Sequence, residues 1–327
     1  MKLKTSVKSL AAIVKANVVN SIYRGAKPKK EGHQFLDLNV HLTLPTPEEV
    51  PMYLEELSSR ADGVAIAHYG RVQSGIESYD NIIKILQEYA PDRFSIKNKG
   101  LVAVLKDHLK GNRTILFRSE EVDETQQNLD IMLIGYTDLI PNTAHLTGEY
   151  HDARKVAELG RKQGAFTYLQ HFCVKPSYTI AQEKKNFLQK HLPWVIDTWK
   201  ENREELFDIM DSVDAVETHN GMTVLYVAPQ NAISQELMRE YHKKRDPNKP
   251  VISCSNAITS LKAIGTAGIL IPSLDASLSG REIIEQLRDN ITKWPIYHKR
   301  RYHGLPLFIK QRLRLKKERE RLKKQLA

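Results

Sequence analysis

The stretch Phe35-Leu36-Asp37-Leu38-Asn39-Val40-His41 decides the reading of this chain. Its apolar residues and its length mark a short buried strand. Its polar residues alternate, so Asp37, Asn39 and His41 are expected to project to one side of that strand. A buried strand that ends in amide and imidazole side chains delivers polar groups into a site.

Working outward, strand-like and helix-like runs alternate from residue 34 onward. Strands are expected at 35–40, 62–67, 114–118, 130–135, 165–170, 213–217 and 250–254. Helical patterns lie among them at 47–59, 77–89, 149–163, 195–210, 232–244 and 280–291. This alternation predicts a mostly parallel α/β sheet or barrel. The segment 181–210, with Trp194 and Trp199, reads as an insertion or long helix on the exterior. No internal repeat and no Gly/Ser-rich linker divides the chain. The simplest partition is a basic helix and linker at 1–32, one barrel at 33–297 and a basic helical tail at 298–327.

The 327 residues are 41% hydrophobic and 27% charged, a globular composition. No apolar run approaches the ~20 residues of a membrane-spanning helix, so no transmembrane segment is expected. Two cysteines, Cys173 and Cys254, are too few for a disulfide framework and fit a reducing, cytoplasmic setting. The net charge of +10 conceals a division. Residues 1–30 carry eight Lys/Arg and no acid, and residues 298–327 carry twelve Lys/Arg against two Glu. The remaining body holds 29 basic and 37 acidic side chains. An acidic body with basic ends suits a polyanionic partner, such as RNA or an anionic membrane surface, or simply a solvated tail.

In the tail, Arg312, Arg314, Lys316, Lys317, Arg319 and Arg321 are the candidate phosphate contacts, and Tyr297 and Tyr302 are candidate stacking rings. At the other end, Val7, Leu10, Val14, Val18 and Ile22 share one helical face, which could lie on a membrane or pack on the body.

The ordered fragments over residues 33–292 resemble the PHP family (polymerase and histidinol phosphatase domain). Its first strand ordinarily carries Asp-x-His-x-His, and Asn39 stands here where the first of those histidines is expected, with His41 at the second. The second strand, ending Ala67-His68-Tyr69-Gly70, resembles one that ends Thr-Asp-His, which makes His68 a further candidate. Ser119-Glu120-Glu121 resembles Gly-x-Glu and places Glu121 on the metal-bridging carboxylate, with Glu120 its alternative under a register error. The strand Asp130–Tyr136 carries Ile131 or Met132 where a histidine is expected. His171 resembles the His of a strand end that reads His-Pro in family members, with Phe172 in place of the proline. Val213-Asp214-Ala215-Val216-Glu217 followed by Asn220-Gly221 is the most family-like fragment after the first. In the last strand Asn256 and Ile258 stand at Asp and His positions.

This resemblance implies a distorted TIM-like (β/α)7 barrel with metal ions at the carboxyl ends of its strands. It also implies metal-dependent hydrolysis of a phosphate ester. The substituted positions leave a degenerate site. His41, Glu121 and His171 are the expected ligands for at most one divalent transition metal (Zn, Mn or Fe), with Asp37, Asn39 and Asn256 lining the site. No catalytic base is assigned. The alternative is a non-catalytic PHP-fold protein that binds RNA or another polyanion through its basic termini. No Walker A sequence, dinucleotide fingerprint, Cys-x-x-Cys pair or Gly-x-Ser-x-Gly elbow points elsewhere.

Overall fold

The computed structural model describes residues 27–69, 78–123, 125–127, 129–140, 151–172, 202–222 and 224–303. It also describes Ile309, Leu313, Arg314, Lys316, Lys317 and Glu320 in the tail, all helical. The apolar face expected in residues 7–22 and the exterior helix expected around Trp194 lie outside the described residues.

The sequence order begins with β1 (His33–His41), α1 (Val50–Arg60), β2 (Gly63–Tyr69), α2 (Tyr79–Glu88), β3 (Phe94–Asn98), β4 (Val102–Asp107), β5 (Arg113–Val122) and β6 (Asp130–Ile134). It continues with α3 (Ala153–Lys162), β7 (Phe166–Gln170), α4 (Arg203–Ser212), β8 (Ala215–Asn220), α5 (Val224–Lys244), β9 (Val251–Cys254) and β10 (Ala257–Ile258). The last elements are β11 (Gly268–Pro272), α6 (Gly280–Lys293) and β12 (Tyr297–Lys299). The main sheet runs β12-β11-β1-β2-β5-β6-β7-β8-β9, and β10 returns the chain to pair with β1. The result is a mixed α/β structure with a nearly closed, barrel-like sheet.

The sheet is mixed rather than mostly parallel. β1, β2 and β5 run parallel to one another, as do β7, β8 and β9, whereas β11 is antiparallel to β1. β6 is antiparallel to both β5 and β7, because the connection from Val122 to Asp130 is too short for a helical crossover. The β3–β4 hairpin, which the sequence pattern did not single out, adds antiparallel to the first half of β5.

Side chains alternate between two apolar layers. The inner cluster includes Leu36, Leu38, Ala65, Ala67, Phe117, Met132, Tyr168 and Ile252. Ile283, Ile284, Leu287 and Ile291 of α6 join this cluster, so that helix plugs one end of the barrel. Ser279 and Glu282 start α6 with a reciprocal capping box. The outer faces are covered by α1 and α2 on one side and by α3, α4 and α5 on the other. Polar residues gather at the end opposite α6. No helix among the described residues is long and apolar enough to cross a membrane.

The chain stays on the barrel beyond β12. The His303 amide donates to Gly221 O at 2.8 Å, and His219 Nε2 lies 3.2 Å from Arg301 O. Asn231 Nδ2 reaches the Tyr302 hydroxyl at 3.3 Å. Truncation after residue 297 also removes the His298–Ser253 and Lys299–Gly265 bonds and most of β12, so it is expected to destabilise the fold by at least about 5 kcal/mol, at roughly 1 kcal/mol per lost hydrogen bond. Truncation after residue 303 should cost under about 1 kcal/mol, since it removes the half-exposed Arg314–Glu49 pair. Urea unfolding of the two truncations beside the full chain reads the difference.

Candidate metal centre

The pairing of β1 with β2 matches Asp37 to Val64 and Val40 to Ile66, three residues against two. The extra residue is a β-bulge, and it re-aims the strand. Before it, Leu36 and Leu38 face inward, and beyond it Val40 packs in the outer layer. Asn39 and His41 therefore turn to the barrel axis. Without the bulge, Val40 would point in and His41 out.

Asp37 is a correction to the expected trio, because it falls on the other side of the strand from His41. Its carboxylate accepts from Ser255 N at 3.0 Å, from Gly265 N at 2.8 Å and from the Ser255 hydroxyl. It ties β1 to the loops around β10. Burial pushes its pKa up to about 6, against the pull of those donors. The folded chain thus keeps a proton that the unfolded chain sheds, so stability should fall by about 3 kcal/mol as pH rises from about 4 to 6. Asp37→Asn should flatten that component, read as the difference between the two proteins in denaturant titrations at the two pH values. An equal pH dependence in both would reject the assignment.

His41 Nδ1 lies 3.2 Å from Ala67 O, and its Nε2 lies 3.1 Å from Glu121 Oε2. A carbonyl requires a donor, so Nδ1 carries hydrogen, and Nε2, an acceptor unless it too carries one, faces a carboxylate. Two acceptors at that distance call for a cation between them, either a proton or a metal ion. Glu121 Oε2 also accepts from Gln170 Nε2 at 2.6 Å. Burial works against the charged form of Glu121. The charge and hydrogen bond of His41 outweigh it and hold the pKa below the usual carboxylate range.

His171 follows β7 with φ of +20°, a conformation that β7 and its contacts must enforce. Its Nε2 lies 2.9 Å from Asp130 Oδ2 and its Nδ1 lies 3.5 Å from Glu217 Oε2, which also accepts from the His171 amide at 2.7 Å. Burial disfavours the imidazolium, but Asp130 and Glu217, with Glu121 beyond, raise its pKa to about 10. Glu121, Asp130 and His171 each offer a donor atom, and these atoms all lie within 4.8 Å of one another. This group could hold a metal ion, and His41 adjoins it through Glu121.

Asp130 and Glu217 were not expected as members of this group. Family logic directs attention to the carboxyl ends of parallel strands, but β6 runs antiparallel. Its first residue therefore lies at the end where β5 finishes with Glu121 and β7 with Gln170. The available signal was an acid opening an otherwise apolar strand, Asp130-Ile131-Met132-Leu133-Ile134.

His68 pairs with Glu120, and Glu121 pairs with the next residue of β2. His68 thus stands on the opposite face of the sheet from Glu121, which removes it from the group. Glu120 shares that face. It accepts from Ile140 N at 3.2 Å, and burial raises its pKa to about 8.

No family model matches this chain, and no curated protein matches it. Among solved structures, the lesion-specific endonuclease PfuEndoQ from Pyrococcus furiosus is similar at a TM-score of 0.40 and 11% identity. The match covers 81% of this chain and 57% of that one. A likeness of this size assigns neither family nor activity.

Asn39 is fully buried, and neither its side-chain oxygen nor its nitrogen has a hydrogen-bond partner. Asn256, also buried, adopts φ of +49° in the link between β9 and β10, and its Oδ1 is likewise unpaired. Gln170 Oε1 and Glu217 Oε1 share this condition. Orphaned buried polar atoms are costly, and several at one end of a barrel mark a place that recruits further polar groups.

Of the expected tail contacts, Lys316 and Lys317 are exposed, and Arg314 pairs with Glu49 at 3.3 Å. Arg312, Arg319 and Arg321 lie outside the described residues.

Proposed function

We propose that this chain is a metal-dependent phosphoesterase on a PHP-type (β/α)7 barrel. Its reduced site would take at most one divalent transition-metal ion (Zn, Mn or Fe). The observation that carries this reading is the buried group Glu121–Asp130–His171 with His41 beside it. The residues fit a metal on two grounds. His41 has the Nδ1–H to carbonyl arrangement that metal-ligating imidazoles commonly show, and its Nε2 faces a carboxylate. Two carboxylates and two imidazoles are also a donor set that such ions accept. A bound ion supplies positive charge opposite a phosphoryl group and acidifies water.

The protein's own contribution is positioning. Gln170 orients Glu121 through Oε2, and Glu217 holds both the ring and the amide of His171. The apolar inner cluster beneath them excludes bulk water, so each charge acts in a low dielectric. Asn39 brings an amide, free to bind, to the same end of the barrel. Elemental analysis after dialysis, together with hydrolysis of bis(p-nitrophenyl) phosphate, tests the reading. About one equivalent of metal is expected. Two or three equivalents would show that further ligands had been misassigned.

A second reading rests on His171. When it keeps its proton, the two His and three acids form a hydrogen-bonded, ion-paired network with no metal. The chain would then be a non-catalytic PHP-fold protein that binds RNA or an anionic membrane surface through its basic termini. A dialysed protein free of metal would favour it.

A further inference from the structure

From the last residue of β12 the chain crosses the end of β8 as a short strap, Lys299-Arg300-Arg301-Tyr302-His303. Its backbone is fixed by a neutral histidine. His219 Nε2–H donates to Arg301 O at 3.2 Å, and its Nδ1 accepts from Asn231 Nδ2 at 3.4 Å. The Tyr302 ring lies 4.9 Å from the His219 ring. The strap's two arginines, unlike its backbone, have no anionic partner among the described residues. Lys299 Nζ rests on Gly265 O at 2.6 Å. Arg301 Nη1 is buried with no hydrogen-bond partner.

The surroundings report the same excess of positive charge. His219 and His298 are both pushed down to about 4, by burial and then by Arg300. Burial and Arg239 also lower Arg300 itself. A buried guanidinium nitrogen without an acceptor, such as Arg301 Nη1, is expensive, and an anion with several oxygens, also reached by the exposed Arg300, is what relieves it.

The strap is anchored beside the candidate metal centre. β8 carries Glu217, which holds His171, and two residues on carries His219, which holds the strap; the two positions are about 7 Å apart at ~3.3 Å per residue. The strap then runs directly into residues 304–327, the rest of the strongly basic tail.

We infer that Lys299–Arg301 is a phosphate-binding site for a neighbouring, non-reacting phosphate of the substrate, and that the substrate is single-stranded nucleic acid. This rests on the phosphoesterase reading. A single strand is favoured because Glu121 and Asp130 are 1% and 2% exposed. A rigid duplex or a flat membrane cannot bring a phosphate to groups so deeply set, whereas a flexible strand can. The tail's further cations match the repeating charge of such a chain.

The test is binding of a labelled single-stranded oligonucleotide to the full chain, in EDTA, over a range of salt. Arg300→Gln/Arg301→Gln is compared with wild type and with Lys316→Gln/Lys317→Gln. The strap variant should bind about tenfold more weakly, and its log–log salt slope should fall by about 1.4, for two phosphate contacts at roughly 0.7 each. Arg300→Lys/Arg301→Lys should restore most of the slope, which a purely structural role would not produce. An unchanged slope and affinity in the Gln variant, at unchanged melting temperature, overturns the inference. So does binding of anionic phosphatidylserine vesicles without binding of the oligonucleotide. If the double Gln variant fails to fold, Arg300→Gln alone replaces it, with inorganic phosphate as the probe. Phosphate should raise the melting temperature of wild type more than that of Arg300→Gln, and equal shifts overturn the inference. Because EDTA removes metal, the two readings fail separately. Loss of binding in a protein that never holds metal spares the strap and rejects the phosphoesterase. Normal strap-variant binding in a metal-holding protein does the reverse.

Discussion

If the chain is the phosphoesterase proposed above, replacing Glu121 by Gln is expected to lower metal affinity by more than about 100-fold and to remove phosphodiester hydrolysis. Glu121 is the residue common to both halves of the centre. One side meets His41 and Gln170, and the other adjoins Asp130 and His171. An amide keeps the shape but loses the negative charge, and it turns an NH2 toward either His41 or Gln170. Loss of outer-shell partners alone commonly costs 10–100-fold in metal affinity, so loss of a charged ligand should exceed that. Isothermal titration with zinc or manganese and hydrolysis of bis(p-nitrophenyl) phosphate read the two effects. Gln170→Ala provides the graded comparison, since it only frees Glu121 to move. If Glu121→Gln binds metal as wild type does, Glu121 is not a ligand.

The largest expected effect of a single substitution on stability comes from Gly268→Ala. Gly268 opens β11, next to β1. A Cβ there would lie 2.3 Å from Leu36 O and 2.7 Å from the Phe35 ring. The first contact is backbone in the middle of the sheet and cannot swing away. Overpacking commonly costs 1–3 kcal/mol, and a backbone clash belongs at or above the top of that range. The melting temperature should fall on the order of 10 °C. Gly111→Ala gives the contrast. Its φ is also positive, at +68°, but nothing lies within 4 Å of the added carbon, so only backbone strain is paid.

Much of the fold was legible because burial writes itself as runs of apolar residues. β1, β2, β5, β7, β8 and β9 fall where apolar runs predicted strands, and α1, α2, α3 and α6 fall on helical periodicity. β3, β4 and β11 escaped notice. Phe94–Asn98 has only one buried position at its start, and Gly268–Pro272 is short and closed by Pro. Strand direction was not legible at all, since an apolar run reads the same both ways. That is why Asp130 was missed and why a mostly parallel sheet was expected. Asp37 was misplaced for a related reason, because simple alternation cannot foresee a bulge.

The reversal of β6 has a consequence for the order of assembly. Glu121, Asp130, Gln170 and His171 all come from one contiguous segment, the antiparallel run β5–β6–β7. The β5–β6 loop closes at little entropic cost and β7 follows after one helix, whereas His41 must arrive from some 80 residues away. The acidic half of the centre is therefore expected to exist before the barrel closes. Metal added early in refolding should act first on this three-strand unit, and docking of β1 should come later as the step that seals it.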